Sequence, residues 1–343
     1  MAGKPFVIPI FITHQGCPHR CLFCNQQGIT GCNEQVSNDF TALDVRREIE
    51  RHLAWPRKSN LVQVAFYGGS FTGLPELKQA ELLLAVKPYL ECGVVSEIRL
   101  STRPDYIKAT TPFFLHAHGV KIVELGVQSM TDRVLAACQR GHTVADTERA
   151  IVVLKKSGMT VGAQLMIGLP GETTVSAVAG ARQLASLLPD MVRIYPALVL
   201  KGSGLANLYN KGQYQPLSLS KAIALTVRIK GIFDRHGIRI IRMGLQPGPS
   251  LEKELLAGPY HPAFGELVLS RLMFNKARKL LADDPNSRGG HLSIAAADQS
   301  IFRGRHNVNA RRLAFLGLLR DVAVVYTAGQ PRGSISIHPG RVS

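Results

Sequence analysis

The feature that most constrains the fold is a regular alternation of short apolar runs and amphipathic stretches from Val7 to about Arg242. The apolar runs have the length and composition of buried strands. They are Val7–Thr13, Leu61–Tyr67, Val95–Ser101, Lys121–Val127, Thr160–Ile167, Met191–Tyr195 and, as a further candidate, Ile238–Arg242. Helical patterns lie between them at Phe40–Ala54, Pro75–Leu90, Asp105–Ala117, Val144–Ser157, Thr173–Leu188 and Ser218–His236. This alternation predicts parallel strands joined by helical crossovers.

The positions of the polar motifs narrow the choice of α/β architecture. Six strand–helix units fit a partial (β/α)6 barrel of the TIM type, although a doubly wound sheet has the same alternation. Nearly all polar motifs stand at or just past the C-terminal end of a strand, which is where barrel active sites are built. We therefore predict a partial barrel over residues 1–243 and a small α+β extension over residues 244–343.

The extension begins with Gly244–Gly258, a segment rich in Pro and Gly that we predict to be a connector. The later elements are predicted as a helix, a break, a strand, a helix and two strands, at Pro262–Ala282, Asp283–Asn286, His291–Ala296, Asn307–Leu319, Val322–Thr327 and Gly333–His338. Arg303 and Arg305 lie in a basic loop that leads into Arg311 and Arg312. Arginines at a helix N-terminus can bind phosphate; the alternative is a basic turn that packs on the barrel.

Three cysteines follow the first predicted strand. Cys17, Cys21 and Cys24, spaced C-x3-C-x2-C, are too close together to pair sensibly as disulfides. Three thiolates can hold a [4Fe–4S] cluster, which normally takes four cysteines, and leave one iron free for another ligand. From the spacing alone, the alternative is a structural zinc site with Cys32, His14 or His19 as the fourth ligand.

Composition limits the class of protein and its partners. Lys and Arg number 41 against 24 Asp and Glu, a formal net charge of +17 that would attract a polyanion such as nucleic acid. A generally basic composition is the alternative explanation. There is no apolar run of about 20 residues to span a membrane, and Lys4 precedes a strand rather than a signal peptide. With its isolated cysteines, the chain is expected to be cytoplasmic.

Polar phrases at successive strand ends, taken with the cysteine triad and the aromatic Phe23, resemble the radical S-adenosylmethionine (radical SAM) superfamily. TRPDY (102–106), ELGVQS (124–129), RGHTV (140–144) and IYP with GSGL (194–205) are similar to the radical SAM half of the elongator catalytic subunit, which modifies the wobble uridine of tRNA. GVQS and IGLPGET (167–173) are shared with oxygen-independent coproporphyrinogen oxidase and its relatives. The resemblance runs from Pro9 to about Ile240 and favours the cluster over zinc.

The resemblance implies a radical SAM enzyme whose cluster is held by Cys17, Cys21 and Cys24. In this family the free iron binds SAM, and an electron from a reductant such as flavodoxin or ferredoxin splits SAM into methionine and a 5′-deoxyadenosyl radical. The residues at the positions that contact SAM in the family are Gly68, Gly69 and Ser70 at the methionine end, Ser101 where relatives carry Glu, Gln128, Arg140 for the carboxylate, and Gln164 for the ribose. No motif names the residue that acts on the substrate. Candidates for substrate contact near the barrel mouth, each with a structural role as the alternative, are Tyr67, His142, Tyr195 and Lys201.

Two departures limit the resemblance to the elongator subunit. Its first two cluster cysteines are much farther apart than Cys17 and Cys21, and residues 244–343 contain no glycine-rich acetyl-CoA loop, so we expect no acetyl transfer in cis. Three hypotheses for function follow. The substrate is tRNA or another RNA, or it is a small metabolite or porphyrin-like molecule. The third is a binding role without turnover, which Ser101 in place of Glu keeps open.

Overall fold

The computed structural model describes residues 5–18, 20–25, 40–57, 59–283 and 289–339. The chain divides into two compact units. The first comprises the residues up to Tyr260 except Ile223–Arg228, and the second comprises that segment and the residues from His261 onward. The domain boundary between residues 243 and 244 stays a prediction.

The strands of the first unit are β1 (Phe6–Phe11), β2 (Val62–Tyr67), β3 (Glu97–Thr102), β4 (Val120–Gln128), β5 (Thr160–Ile167), β6 (Met191–Pro196), β7 (Val199–Leu200), β8 (Arg239–Met243) and β9 (Leu255–Ala257). Seven of them form one parallel sheet in the order β1-β2-β3-β4-β5-β6-β8. Because β1 and β8 stand at opposite ends of this order, the sheet is an open, curled half-barrel. The predicted partial barrel is confirmed, and each predicted strand is present within two residues of its predicted ends.

The helices of the barrel region are α1 (Ala42–Leu53), α2 (Glu76–Leu84), α3 (Lys87–Glu91), α4 (Thr111–Ala117), α5 (Asp132–Ala137), α6 (Val144–Lys156), α7 (Thr174–Ser186), α8 (Gly204–Asn210), α9 (Leu219–Arg235) and α10 (Pro249–Glu254). Thr41, Thr143 and Thr173 cap α1, α6 and α7 with their side chains, each in a reciprocal capping box. These caps explain why the predicted starts of these helices lie within two residues of the observed ones.

Two helical predictions and the predicted connector were wrong in extent, and the helix predicted at Asn307–Leu319 ends at Phe315. The stretch Pro75–Leu90 is two helices because the ring of Pro88 conflicts with the carbonyl of residue 84, where α2 ends. Pro112 lies in the first turn of α4, the one place a helix tolerates it, so this helix begins at Thr111 rather than Asp105. The predicted connector Gly244–Gly258 contains α10 and β9, and β9 pairs with β7.

The two faces of the main sheet carry opposite chemistry. Side chains alternate between the faces of a strand, and the outward ones are aliphatic and fully buried, as with Ile8, Val64 and Val123. Helices pack on this face: α1 on β1, α4 on β4 and α6 on β5. The inward positions are largely polar, namely Tyr67, Arg99, Ser101, Glu124, Gln128, Gln164 and Arg193. A closed TIM barrel fills its interior with branched apolar side chains, whereas this half-barrel faces a polar cavity.

The second unit continues with α11 (Phe264–Asp283), β10 (His291–Ala295), α12 (Gln299–Arg303), α13 (Val308–Phe315), β11 (Ala323–Thr327) and β12 (Ile335–His338). Its sheet has the order β11-β10-β12, with β11 parallel and β12 antiparallel to the central strand. Phe274 and Ala277 of α11 pack against Leu292 and Ile294 of β10 in one apolar core. The α+β prediction for the extension is confirmed.

Within the described residues, none of the helices has both the length and the apolar character that crossing a membrane requires.

Candidate functional site

The loop after β1 carries the three cysteines and is held tightly against the loop after β2. His14 N donates to Gly68 O at 2.9 Å, and Ser70 N donates to Gln15 O at 2.9 Å. Gly16 has a φ of +71°, and a Cβ there would lie 2.0 Å from Ser70 O. Only glycine fits this contact, so the position of the cysteine loop is set by its neighbour.

Cys21 is buried, while Cys17 and Cys24 are half-buried; none of the three is in a disulfide. Backbone bonds shape the loop: Cys17 N donates to His14 O at 3.2 Å, and Cys24 N to Cys21 O at 3.0 Å. Burial raises the pKa of the Cys17 thiol, and the positive charge of Arg140 opposes that rise. A cation beside the thiols favours the thiolate forms that bind metal.

The zinc alternative needed four ligands around one ion. Cys32 and His19, two of its three proposed fourth ligands, lie outside the described residues. Within the part of the chain that the structure describes, no three His, Cys, Asp or Glu side chains are arranged to hold one ion. The ligands of a cubane each bind a different iron, so they need not converge on one point.

Gly68 and Gly69 end β2 with backbone exposed to the interior. Gly68 has a φ of +86°, and a Cβ on Gly69 would lie 2.4 Å from Gln15 O. Ser70 is buried and turns away: its Oγ lies 3.1 Å from Thr102 Oγ1 and accepts from Arg103 N at 3.2 Å. The Ser70 hydroxyl therefore links the β2 and β3 loops.

At the end of β3, Ser101 is half-buried on the interior side. Arg103 lies two residues later, within the TRPDY motif, and no role was predicted for it. Its guanidinium is buried and binds Asp105 through Nε at 3.0 Å and Nη2 at 2.8 Å, and its Nη1 has no partner among the described residues. The signal was available, because a buried Arg needs a carboxylate and Asp105 stands two residues away.

Arg140 reaches from the loop before α6 into the interior, where it touches both the cysteine loop and β4. Its Nη1 lies 3.6 Å from Cys21 Sγ, and its Nη2 donates to Gly126 O at 2.8 Å. Its Nε is buried and has no partner in the described part of the chain. A Cβ on Gly126 would lie 2.8 Å from Arg140 Nη2, so the glycine makes room for the guanidinium.

Gln128 and Gln164 are brought together across β4 and β5. Gln164 Nε2 donates to Gln128 Oε1 at 3.3 Å. Gln128 has a φ of +65°, and the register of β4 on β5 shifts between Leu125 and Gln128. This irregularity at the strand end directs the Gln128 amide into the interior.

Deeper in the half-barrel lies a network that sequence reasoning missed, formed by Tyr67, Arg99, Glu124 and Arg193, hereafter the floor network. Glu124 is buried and accepts from Tyr67 OH at 2.9 Å, from Arg99 Nη2 at 2.6 Å and from Arg193 Nη2 at 3.1 Å. Burial raises the pKa of Glu124, but Arg193 and Arg99 outweigh it and hold that pKa below its ordinary value. The carboxylate is therefore ionised at neutral pH.

Most of these groups, but not Arg99, line one cavity of about 720 Å³ within the first unit. Nine of the ten predicted site residues line it, namely Cys17, Cys21, Cys24, Gly68, Gly69, Ser101, Gln128, Arg140 and Gln164; Ser70 does not. Tyr67 and Tyr195 also line it, whereas His142 and Lys201 do not. Burial lowers the pKa of His142 to about 3, and both of its ring nitrogens lack partners among the described residues, so it is neutral.

The arrangement defines a class of protein: a half-barrel enzyme with three thiols, a glycine loop and a guanidinium without a carboxylate partner among the described residues, at the carboxyl ends of its strands. Residues 11–178 match the radical SAM superfamily, and residues 189–273 match the radical SAM C-terminal domain. The chain belongs to the radical SAM superfamily. It is a radical SAM enzyme, and the cofactors of that family are a [4Fe–4S] cluster and SAM, as predicted.

Several curated proteins are similar to the chain. An uncharacterised protein of Methanocaldococcus jannaschii is 31% identical over 236 residues, which are 65% of this chain and 70% of that one. A tRNA uridine(34) acetyltransferase of Methanocaldococcus infernus is 26% identical over 267 residues, 67% of this chain and 50% of that one. Elongator complex protein 3 of Homo sapiens is 27% identical over 309 residues, which are 78% of this chain and 55% of that one. The chain thus spans about half the length of the latter two.

Two solved structures show the same fold. The archaeal Elp3 of Methanocaldococcus infernus, with an N-terminal deletion, has a TM-score of 0.63 at 24% identity and covers 80% of this chain and 64% of that one. Coproporphyrinogen III oxidase from Escherichia coli has a TM-score of 0.50 at 17% identity and covers 68% of this chain and 53% of that one. At these identities the likeness concerns the fold.

The residues around the cavity suit the family's cofactors. The donor set at the cysteine loop is three thiols, the soft ligands that iron–sulfur clusters take. The buried, unpartnered Nε of Arg140 beside Cys21 can bond to a carboxylate. Gly68 and Gly69 leave backbone groups open to an incoming ligand.

Proposed function

We propose that Cys17, Cys21 and Cys24 hold the cluster, that SAM binds across the cavity beside it, and that the substrate modified is a tRNA. The observation that carries this proposal is the gathering of nine of the predicted residues, from the first five strands and the loops that follow them, around one cavity. When bound, the cluster and SAM supply reductive cleavage of SAM to methionine and a 5′-deoxyadenosyl radical, which attacks the substrate.

The cysteine end of the cavity, formed by Cys17, Cys21, Cys24 and Arg140, binds and orients the cofactors. The three thiolates would ligate iron, and Nη1 of Arg140 donates to Cys21 Sγ. The planar fork of Arg140 fits a carboxylate in a bidentate manner, so we assign it to the carboxylate of SAM. The backbone of Gly68 and Gly69 faces the amino end of the same molecule.

Gln128 and Gln164 lie beyond Arg140 on neighbouring strands, and each amide can both donate and accept. We assign them to the ribose hydroxyls, which also donate and accept. Ser101 contributes one hydroxyl where relatives carry a carboxylate, so we expect its contact to be weak. The apolar remainder of the wall, including Phe11, Phe23 and Met166, limits water around the reacting groups.

Charge and the nature of the relatives support tRNA as the substrate. The chain has a formal net charge of +17, and one of its relatives is a tRNA uridine(34) acetyltransferase. In the second unit, Arg303 stacks on Tyr326 and Arg312 on Phe274, so both have structural partners. The side chain of Arg305 is exposed and makes no hydrogen bond or ion pair with another described residue. We therefore assign phosphate contact chiefly to Arg305.

The decisive experiment is anaerobic reconstitution followed by incubation with SAM, a reductant and bulk tRNA. We expect 5′-deoxyadenosine in the reaction and a new mass on one tRNA nucleoside. If 5′-deoxyadenosine forms but every tRNA nucleoside is unchanged, the radical SAM activity stands and the substrate is a small molecule instead. If no 5′-deoxyadenosine forms from a fully loaded cluster, the chain binds without turnover.

A salt-dependent gel shift with tRNA tests the basic loop. Arg305→Gln should lower affinity and reduce the slope against salt by about one phosphate contact. Arg303→Gln is the matched control, because it removes the same charge from a side chain already stacked on Tyr326. Equal loss in both variants would indicate a general charge effect and not a contact at Arg305.

A further inference from the structure

The cavity is also lined by an arginine, Arg242, to which the SAM site gives no role. Arg242 of β8 and Arg193 of β6 are register partners on adjacent parallel strands, and both line the cavity. Neighbouring strands lie about 4.8 Å apart. Two like charges side by side in a sheet destabilise it unless something neutralises them.

Only one of the two arginines is neutralised by the described residues. Arg193 binds the carboxylate of Glu124 and the hydroxyl of Tyr67. Arg242 has no carboxylate partner in the described part of the chain. Its Nε donates to Gly244 O at 3.2 Å and its Nη2 to Gln246 Oε1, which leaves Nη1 without a hydrogen-bond acceptor there.

Tyr195 adds a donor beside Arg193, on the cavity wall that Arg242 also lines. Its hydroxyl accepts from Arg193 Nη1 at 3.3 Å, and the residue lines the cavity. A phenol that accepts one bond still has its own proton to donate. Nη1 of Arg242 and the hydroxyl of Tyr195 are therefore hydrogen-bond donors facing the cavity. The nearby carboxylate of Glu124 is already bonded to Arg193, Arg99 and Tyr67.

We propose that Arg242 and Tyr195 bind an oxyanion of the acceptor substrate, a carboxylate or a phosphate. This proposal rests on the proposed function in taking the cavity as the reaction chamber. Arg140 and Arg242 then divide the cavity: each is fixed by a backbone carbonyl, Gly126 O or Gly244 O, and each lacks a carboxylate of its own among the described residues. One guanidinium serves SAM, and the other positions the molecule that reacts.

The test is isothermal titration of inorganic phosphate, and separately of malonate, into the full chain with its cluster reconstituted, at constant ionic strength. Arg242→Gln should weaken binding at least tenfold, and Tyr195→Phe by a few-fold. Arg242→Lys should fall between wild type and Arg242→Gln, because it keeps the charge but loses the planar fork. The matched control is Arg239→Gln, three residues earlier on the same strand and exposed; it should bind like wild type.

Tighter binding of phosphate than of malonate would identify a phosphate-bearing substrate such as RNA, and the reverse a carboxylic acid. Equal binding in Arg242→Gln and Arg239→Gln, or wild-type binding weaker than about 10 mM, would overturn the proposal. The thermal unfolding midpoint of each variant shows whether it is folded. Because the titration needs neither SAM cleavage nor tRNA, it can fail or succeed independently of the proposed function.

Discussion

The cysteine end and the floor network of the cavity are both polar and largely buried, but they differ in how their charges are paired. In the floor network, Glu124 lies between two guanidiniums and a tyrosine hydroxyl. The Nε of Arg99 has no partner among the described residues, but its terminal nitrogens bond to Glu124 and Gln63. At the cysteine end, Arg140 bonds to a carbonyl and a thiol and pairs with no carboxylate among the described residues.

The difference separates groups that maintain the fold from groups that await a ligand. A buried charge that is paired within the protein is costly to disturb, because removing one partner leaves the other uncompensated. A buried donor without a protein partner loses little on removal and gains a partner when a ligand arrives. We therefore expect substitutions in the floor network to affect stability, and substitutions at the cysteine end to affect binding.

The largest effect should come from Cys21→Ala. Removing one of three thiolates should abolish the cluster, seen as loss of bound iron, of the broad visible absorption and of 5′-deoxyadenosine formation. Because Cys21 is one small side chain at the cavity wall, far-UV circular dichroism should be unchanged. Cys92→Ala, at an exposed cysteine away from the cavity, is the control and should retain all three signals. A normal iron content in Cys21→Ala would contradict the ligand assignment.

The next largest effect should be that of Glu124→Gln on stability. Loss of the carboxylate leaves the buried Arg99 and the half-buried Arg193 without their partner, at a cost of roughly 3–5 kcal/mol in the free energy of unfolding. Urea denaturation measures this, with Glu76→Gln, at an exposed side chain in the first turn of α2, as control. A loss below about 1 kcal/mol would contradict a structural role for the network.

The same carboxylate should make stability depend on pH. The pKa of Glu124 in the folded chain lies below its ordinary value of 4.5. Its contribution to stability is therefore fully present above pH 4.5 and is lost as the pH falls through the lower folded value. Denaturation curves of wild type should show this acid loss, and those of Glu124→Gln should lack that component.

Arg140→Gln should show the opposite profile to Glu124→Gln. Hydrogen bonds to a charged group contribute about 1.5–3 kcal/mol, so SAM binding should weaken by about 10- to 150-fold. The free energy of unfolding should change by less than about 1 kcal/mol, because no buried carboxylate is left behind. Equilibrium dialysis of SAM and urea denaturation of the same preparation measure the two quantities. Large destabilisation with unchanged SAM affinity would reverse our comparison of the two ends.

Ser101→Ala should have the smallest effect. The Ser101 hydroxyl lines the cavity but makes no hydrogen bond to another described side chain. One neutral hydrogen bond contributes about 0.5–1.5 kcal/mol, which predicts a two- to tenfold loss of SAM affinity by the same dialysis. A loss as great as that of Arg140→Gln would mean that the serine fully replaces the carboxylate of the relatives.

The sequence was sufficient for the strands and for most of the cysteine end. Apolar runs mark strands, and the ends of parallel strands meet at one edge of the sheet. The family resemblance then placed residues as distant as Gly68 and Gln164 around one ligand before any coordinates. The break between α2 and α3 was missed, although Pro88 in the sequence disfavours a continuous helix there. Chain order and local chemistry decide these features.

The floor network and the orientation of Ser70 could not be predicted. Arg99, Glu124 and Arg193 lie on separate strands, and only the register of those strands and the space left by Gly162 bring them together. A Cβ on Gly162 would lie 2.9 Å from Glu124 Cγ. The Ser70 hydroxyl bonds to the hydroxyl of Thr102 and to the backbone N–H of Arg103 instead of facing the cavity. No sequence pattern records which of these directions a serine side chain takes.

The left-handed backbone conformation of Gln128 sets the stability of the fold against the affinity for SAM. A residue other than glycine in this conformation costs about 1 kcal/mol, and Gly or Asn would relieve it. A directed-evolution campaign that screened only for heat resistance should therefore drift away from glutamine at position 128. Thermostable variants of this chain should be screened for SAM affinity at each round, since the strained residue is one that we assign to the ligand.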